Sequence, residues 1–219
     1  MGFTGVAGLL TAIAIAMGTT FGFPSLALIE LPDRSQEPIV APLYQNPEFP
    51  SGCEAFSLAM CLRSMGYSVE PSELIDTYMP TDPTWSDFVN HFAGDARSSG
   101  SAMSPAVVVC ADAYAAAVDA PLHGVELTGC SFDEVATVVE RGYPVLTWIT
   151  TDFESPRFST TGARGYRLYR NFHCVLLYRV QGGVTYVADP LVGLVEYDTN
   201  SFQTLWEECG SLAMAVSES

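Results

Sequence analysis

Soon after position 50 the apolar residues fall into helical spacing. Ala55, Leu58, Ala59, Leu62 and Met65 lie on one face of a helix, and Gly66 is a natural stop. Pro71 in a first turn predicts a short helix through Tyr78, and Trp85 to Phe92 reads as another. Gly94 to Ser104, rich in Gly and Ser, reads as a mobile loop. Ser104-Pro105 then opens an Ala/Val-rich helix to about Val118. Beyond it the period shortens. Gly124 to Leu127 reads as a strand, and Ser131 with Glu134 makes a capping box for a helix ending near Gly142. Pro144 to Thr150 is β-branched and aromatic, the content of a buried strand. Thr151 to Arg170 is long and polar and reads as a loop. Phe172 to Val180 and Val184 to Ala188 flank Gln181-Gly182-Gly183, a hairpin signal. A third strand at Leu194 to Tyr197, a helix at Ser201 to Glu208 and a closing strand at Leu212 to Val216 complete the series. Helices first and mostly antiparallel strands after them imply an α+β domain, a helical half packed on an antiparallel sheet.

The N-terminal pattern is different. Residues 1–29 are almost wholly apolar, with Ser25-Leu26-Ala27 as a small-x-small cleavage site, and suit a signal peptide. Left uncleaved, the segment is close to the roughly 20 residues that anchor a chain in a bilayer. No Arg or Lys precedes Arg34, so the usual basic leader region is missing. Residues 30–42, proline-rich and aperiodic, read as a linker, and residues 43–219 as one domain. That division implies an extracytoplasmic protein, whose membrane contact would be through the N-terminal segment alone.

Charge narrows the partners. The 219 residues hold 25 acidic side chains against nine Arg and no Lys, a net charge of -16. Such a surface repels phosphate backbones, so nucleic acid is not an expected partner. None of the six Cys or three His shows zinc-ligand spacing, and neither metal nor cofactor is expected.

The chemistry is concentrated at Gln45-Asn46-Pro47-Glu48-Phe49-Pro50-Ser51-Gly52-Cys53-Glu54. Ser51 as N-cap and Glu54 three residues on make a second capping box, which starts the helix at this point. Cys53 then occupies the first turn, where free N–H groups and the helix dipole favour a thiolate. Gly52 leaves room for another chain to approach the sulfur. A thiol nucleophile needs an imidazole, a group to orient it, and donors for an oxyanion. His91 and His123 read as surface and loop residues. His173 lies near the start of a buried strand, where an imidazole is costly without partners. It is either a hydrogen-bonded core histidine or the base for Cys53, and the waiting cysteine favours the base. The hairpin carries Asp189 back to the level of His173, where it can orient the ring as well as start the Asp-Pro turn. Gln45 is either an ordinary loop residue or a side-chain donor to the oxyanion, beside the Cys53 backbone N–H.

These residues resemble the opening motif of the C39-like cysteine peptidases, relatives of the bacteriocin leader peptidases with a papain-like fold. Further matches follow in order: Gly142-Tyr143-Pro144-Val145-Leu146-Thr147-Trp148, His173-Cys174-Val175-Leu176-Leu177, Asp189-Pro190-Leu191-Val192-Gly193, and a closing segment around Trp206. The resemblance covers roughly Leu43 to Val216. It implies a papain-like fold with Cys53 as nucleophile, His173 as base, Asp189 as orienter and Gln45 as oxyanion donor, acting on a peptide or protein. The sequence carries no ATPase or exporter portion, so double-glycine leader cleavage is not expected of it. Two other readings share these residues: an amidase or acyltransferase on the same triad, and a non-catalytic cell-surface binding module.

Overall fold

A backbone follows its side-chain period only where no local hydrogen bond competes with it. The computed structural model describes Leu31, Asp33, Arg34 and residues 37–218, with the side chains of Thr160 and Thr161 excepted. The apolar block at 1–29 therefore lies outside the described residues. The first helix, α1 (Cys53–Ser64), is followed by α2 (Pro71–Glu73), which continues as a π-turn over Leu74–Tyr78. Gly66 ends α1 at φ +96, a conformation that glycine adopts without penalty.

The helix expected at Trp85 to Phe92 does not form. The Asp82 carboxylate accepts hydrogen bonds from the Thr84 and Asp87 amides and from the Thr84 and Ser86 hydroxyls. Those turns capture the donors that a helix would need, and Trp85 sits at φ +61. Three short strands take its place: β1 (Thr81–Asp82), β2 (Phe92–Gly94) and β3 (Gly100–Ser101), with β2 in the centre. Within the Gly94–Ser104 stretch, Gly94 and Gly100–Ser101 are paired strand residues, joined by a hydrogen-bonded turn over Asp95–Ser99.

Next come α3 (Ser104–Ala117), β4 (Leu122–Glu126), α4 (Phe132–Glu140) and β5 (Val145–Thr150). Helix α4 has the expected capping box: Ser131 Oγ accepts the Glu134 N–H, and Glu134 accepts the Ser131 N–H. Thr151 to Arg170 differs from the loop reading. It contains a hairpin, β6 (Phe158–Ala163) and β7 (Tyr166–Tyr169), turned by Arg164 and Gly165 at φ +51 and +88. Left-handed φ at both turn residues marks the turn whose twist matches the flanking strands.

The chain closes with β8 (Phe172–Gln181), β9 (Val184–Asp189), β10 (Gly193–Asp198), α5 (Thr199–Glu208) and β11 (Ala213–Glu218). The six-stranded sheet has the order β10-β9-β8-β5-β11-β4, and each neighbouring pair is antiparallel. Alternation gives it two apolar faces. Leu146, Trp148, Cys174 and Leu176 pack toward α1 and α3, while Val145, Ile149, Val175 and Leu177 pack toward α4 and α5. The expected α+β fold is present, with the helical half on one face and two later helices on the other. The described residues of the proline-rich lead-in lie against this body: Leu31 is buried, and Arg34 N donates to Arg141 O at 3.0 Å. Among the described residues no helix is long and apolar enough to cross a membrane.

Candidate active site

Strand register decides which polar residues can meet. Leu176 pairs with Ala188 and Leu177 with Val187 across β8 and β9. Continued toward the strand ends, that register sets Asp189 opposite Val175 and makes His173 its diagonal neighbour on the same face. Such neighbours lie within reach of long side chains. Here His173 Nε2 and Asp189 Oδ1 are 2.8 Å apart, with the two residues 1% and 4% exposed. Asp189 Oδ1 also accepts the Leu191 N–H at 2.7 Å, so the carboxylate is oriented from the turn that follows it.

Helix α1 brings the thiol to the same place. Ser57, one turn beyond Cys53, donates to the Cys174 carbonyl at 3.2 Å, and the Cys174 backbone lowers the pKa of the Cys53 thiol against the larger raising effect of burial. The nucleophile candidate is therefore held against the residue that follows His173. Gln45 is held by two backbone carbonyls: its N–H donates to Pro190 O at 3.0 Å, and its Nε2 donates to Pro50 O at 2.9 Å. Its Oε1 is buried and without a hydrogen-bond partner. Cys53, His173, Asp189 and Gln45, separated by up to 144 positions in the chain, occupy one neighbourhood.

The start of α1 differs from the expected capping box. Gly52 is the N-cap and no side chain caps the helix. Ser51 instead turns outward and binds the segment after β2, its N–H to Ala96 O and its hydroxyl to Ser98 O. Glu54 turns inward. Its Oε1 accepts the Ala102 N–H at 2.7 Å and its Oε2 accepts the Cys53 thiol at 3.3 Å. Nor does Gly52 leave open space: a Cβ there would meet Phe49 Cβ at 2.9 Å.

Electrostatics follow from this enclosure. Cys53 is 6% exposed, and burial pushes its thiol well above the ordinary value, with the adjacent Glu54 carboxylate adding to the effect. The expected low thiol pKa is thus absent from the closed resting site, because burial and a neighbouring acid outweigh the helix terminus. Glu54 itself is raised to about 7 by burial, opposed by the Ala102 amide, its own backbone N–H, the thiol and the His173 charge.

The profile of the Peptidase_C39 like family matches residues 38–214. The chain belongs to that family. It is a C39-like cysteine peptidase, a hydrolase of peptide substrates. Among solved structures, a C39-like peptidase from Bacillus anthracis is 24% identical at TM-score 0.70, covering 87% of this chain and 98% of its own. The peptidase domain of ComA from Streptococcus, a bifunctional ABC transporter of a quorum-sensing pathway, is 12% identical at TM-score 0.51, covering 83% of this chain and all of its own. Both likenesses concern the fold. No curated protein matches the chain.

Three further residues support the peptidase site, in parts that the sequence reading did not give them. Trp148 Nε1 donates to Ala102 O at 3.0 Å and so holds the amide that binds Glu54. Asn171, buried just before β8, joins Asp152 and the Arg157 amide and fixes the chain below His173. Glu54 had a sequence signal: it lies one turn before Leu58, on the apolar face of α1, where a carboxylate must be buried. The other five cysteines are buried free thiols; burial raises Cys61 and Cys110 to about 12. Among the described residues no group of three or more His, Cys, Asp or Glu could hold a metal ion.

Proposed function

We propose that the peptidase works through Cys53, His173 and Asp189, with Gln45 and the Cys53 backbone N–H as oxyanion donors. The observation that carries this reading is the 2.8 Å contact of His173 Nε2 with Asp189, on the strand end against which the Cys53 sulfur is held. Because Nε2 is engaged by the carboxylate, Nδ1 is the nitrogen left to take the thiol proton. The sulfur then attacks the peptide carbonyl carbon, and the C–S bond forms as the carbonyl becomes an oxyanion. His173 returns the proton to the amine nitrogen, the C–N bond breaks, and a thioester remains. Water, giving a proton to His173, attacks the thioester. The C–S bond breaks as His173 passes that proton to the sulfur, releasing a carboxylic acid and restoring the thiol.

Replacement of Cys53 by Ala should abolish hydrolysis while leaving the circular dichroism spectrum unchanged. Retained hydrolysis in the Cys53→Ala protein would remove the sulfur from the mechanism. An acyl-enzyme is tested directly by incubating His173→Ala with an activated peptide ester: intact mass should show one acyl group, and mass spectrometry of the digest should place it on the Cys53 peptide.

Export of the enzyme belongs to the same reading and is supported by the apolar block at 1–29, followed by the domain at 43–219. Each of the six thiols is buried, so oxidising surroundings do not require them to pair. Determination of the mature N-terminus from protein recovered outside the cytoplasm would check it; a protein retained inside with Met1 intact would refute it.

A further inference from the structure

Apolar side chains scattered singly over a surface need no explanation, but grouped ones mark a contact site. Three of the large apolar side chains left exposed are gathered beside the catalytic strands. Tyr44, which precedes the oxyanion donor Gln45, is 58% exposed, and Val192 and Leu194, soon after Asp189, are 65% and 53% exposed. Gly193 joins them. It pairs with Asp189 across β9 and β10, and a Cβ on it would meet the Tyr44 hydroxyl at 2.7 Å and the ring carbon bearing that hydroxyl at 3.5 Å. A glycine there lets the phenol ring lie across the strand, at the level of the residue that orients His173.

The chemistry assigns this patch to one side of the substrate. In the acyl transfer described above, the carbonyl oxygen turns toward Gln45 and the leaving nitrogen toward His173, so the acyl Cα points away from both. The turn at residues 190–193 is attached to both groups: to Gln45 through Pro190 O at 3.0 Å, and to His173 through Asp189 at 2.8 Å. It therefore borders the amine side of the scissile bond. We propose that Tyr44, Val192 and Leu194 form the subsite for the substrate residue that supplies the leaving amine, and that this residue is apolar. This rests on Cys53 as nucleophile, with His173 and Gln45 in the roles given them above.

The extent of the patch fits one side chain. Along β10, Leu194 is followed on its own face by Glu196 and Asp198, both exposed, and Tyr44 is followed after Gln45 by the exposed Asn46. Polar groups thus end the apolar surface within a residue or two in each direction. Three side chains are far short of the about 800 Å² that each partner buries in a stable protein interface. The same subsite serves the reverse entry of an amine. When an amine replaces water at the thioester, its nitrogen attacks the carbonyl carbon and a C–N bond forms. The C–S bond breaks, and His173 takes a proton from the nitrogen and passes it to the sulfur.

Capture of the acyl group by amines reads the subsite in the full chain. The enzyme is given an activated peptide ester with leucinamide or glycinamide at equal concentrations of free base, and the peptide amide and the hydrolysed acid are measured by mass spectrometry. Leucinamide should capture about tenfold more acyl group than glycinamide, the low end of what an apolar contact contributes to selectivity. In Val192→Asn and Leu194→Asn, exposed positions where substitution should change stability little, that ratio should fall toward one. A ratio near one in wild type, an unchanged ratio in both variants, or no capture of either amide would overturn the subsite and leave the nucleophile intact. Turnover of the ester by Cys53→Ala at the wild-type rate would overturn the nucleophile and the subsite together. A dimer seen by sedimentation in wild type and lost in the variants, with amide selectivity unchanged, would overturn the proposal by assigning the patch to a second copy of the chain.

Discussion

His173 and Asp189 meet at 2.8 Å through a single carboxylate oxygen, which also accepts the Leu191 amide at 2.7 Å. The ring is thus oriented by an acid that is itself held by the turn after β9. Pro190 extends the relationship, since its carbonyl receives the Gln45 N–H. Asp189 and Gln45 are thereby connected through the Pro190 residue between them.

Asp189→Ala should lower kcat/KM by about 10²–10⁴-fold, because the imidazole loses both its orienter and the charge that stabilises its protonated form. Asp189→Asn keeps an oxygen for His173 and for Leu191 and should lose less. Rates on a common fluorogenic peptide, with folding checked by circular dichroism, measure both. Equal losses would mean that charge alone matters.

Gln45→Ala should reduce kcat by about 10²–10³-fold with little change in KM, the signature of a donor used only in the transition state. Gln45→Glu should do no better. Its carboxylate would face the Pro50 carbonyl, which Nε2 now satisfies at 2.9 Å. A variant whose KM rises while kcat stays unchanged would mark Gln45 as a substrate-binding residue instead.

Gly52→Ala should destabilise the domain by about 1–3 kcal/mol, the usual cost of overpacking. The added Cβ would lie 2.9 Å from Phe49 Cβ and 3.2 Å from Phe49 O, and the latter already accepts the Gly52 N–H. Relief requires displacement of the first turn that carries Cys53, so activity should fall further than stability. Urea denaturation and peptidase rates on the same preparation separate the two effects.

Stability should fall as pH rises from about 4.5 to about 7 through the titration of Glu54. Its folded pKa is raised, so the native state keeps a proton that the unfolded chain has released within that window. The contribution is intact below about 4.5 and lost above about 7, and the shift corresponds to about 3 kcal/mol. Urea midpoints at pH 5 and pH 8 should differ more in wild type than in Glu54→Gln. Identical differences in the two proteins would show that Glu54 does not titrate across the interval.

Much of the fold was legible because its signals are local. Ser131 and Glu134 stand three apart and cap one another, and Gly182-Gly183 turn the β8–β9 hairpin at φ +62 and +81. Where reading failed, a contact invisible to periodicity had intervened. Asp82 gathered the donors of Thr84, Ser86 and Asp87, and no helix formed at Trp85. The polar composition of Thr151–Arg170 hid a hairpin whose only local mark is Arg164-Gly165. Ser51 and Glu54 have the spacing of a capping box, but Ser51 found Ala96 and Ser98, and Glu54 found Ala102.

By itself the sequence determined that a cysteine begins an apolar helix, that a histidine begins a buried strand, and that a tight turn returns an aspartate to that histidine. Each is a short-range consequence of period, capping or turn chemistry. Only the tertiary structure decided that the sulfur is enclosed, that Gly52 is packed rather than open, and that Glu54 leaves the helix terminus for the thiol. Those outcomes depend on Phe49, Ala102 and Cys174 arriving from distant parts of the chain, and on burial, which reverses the ionisation that a helix terminus alone would favour.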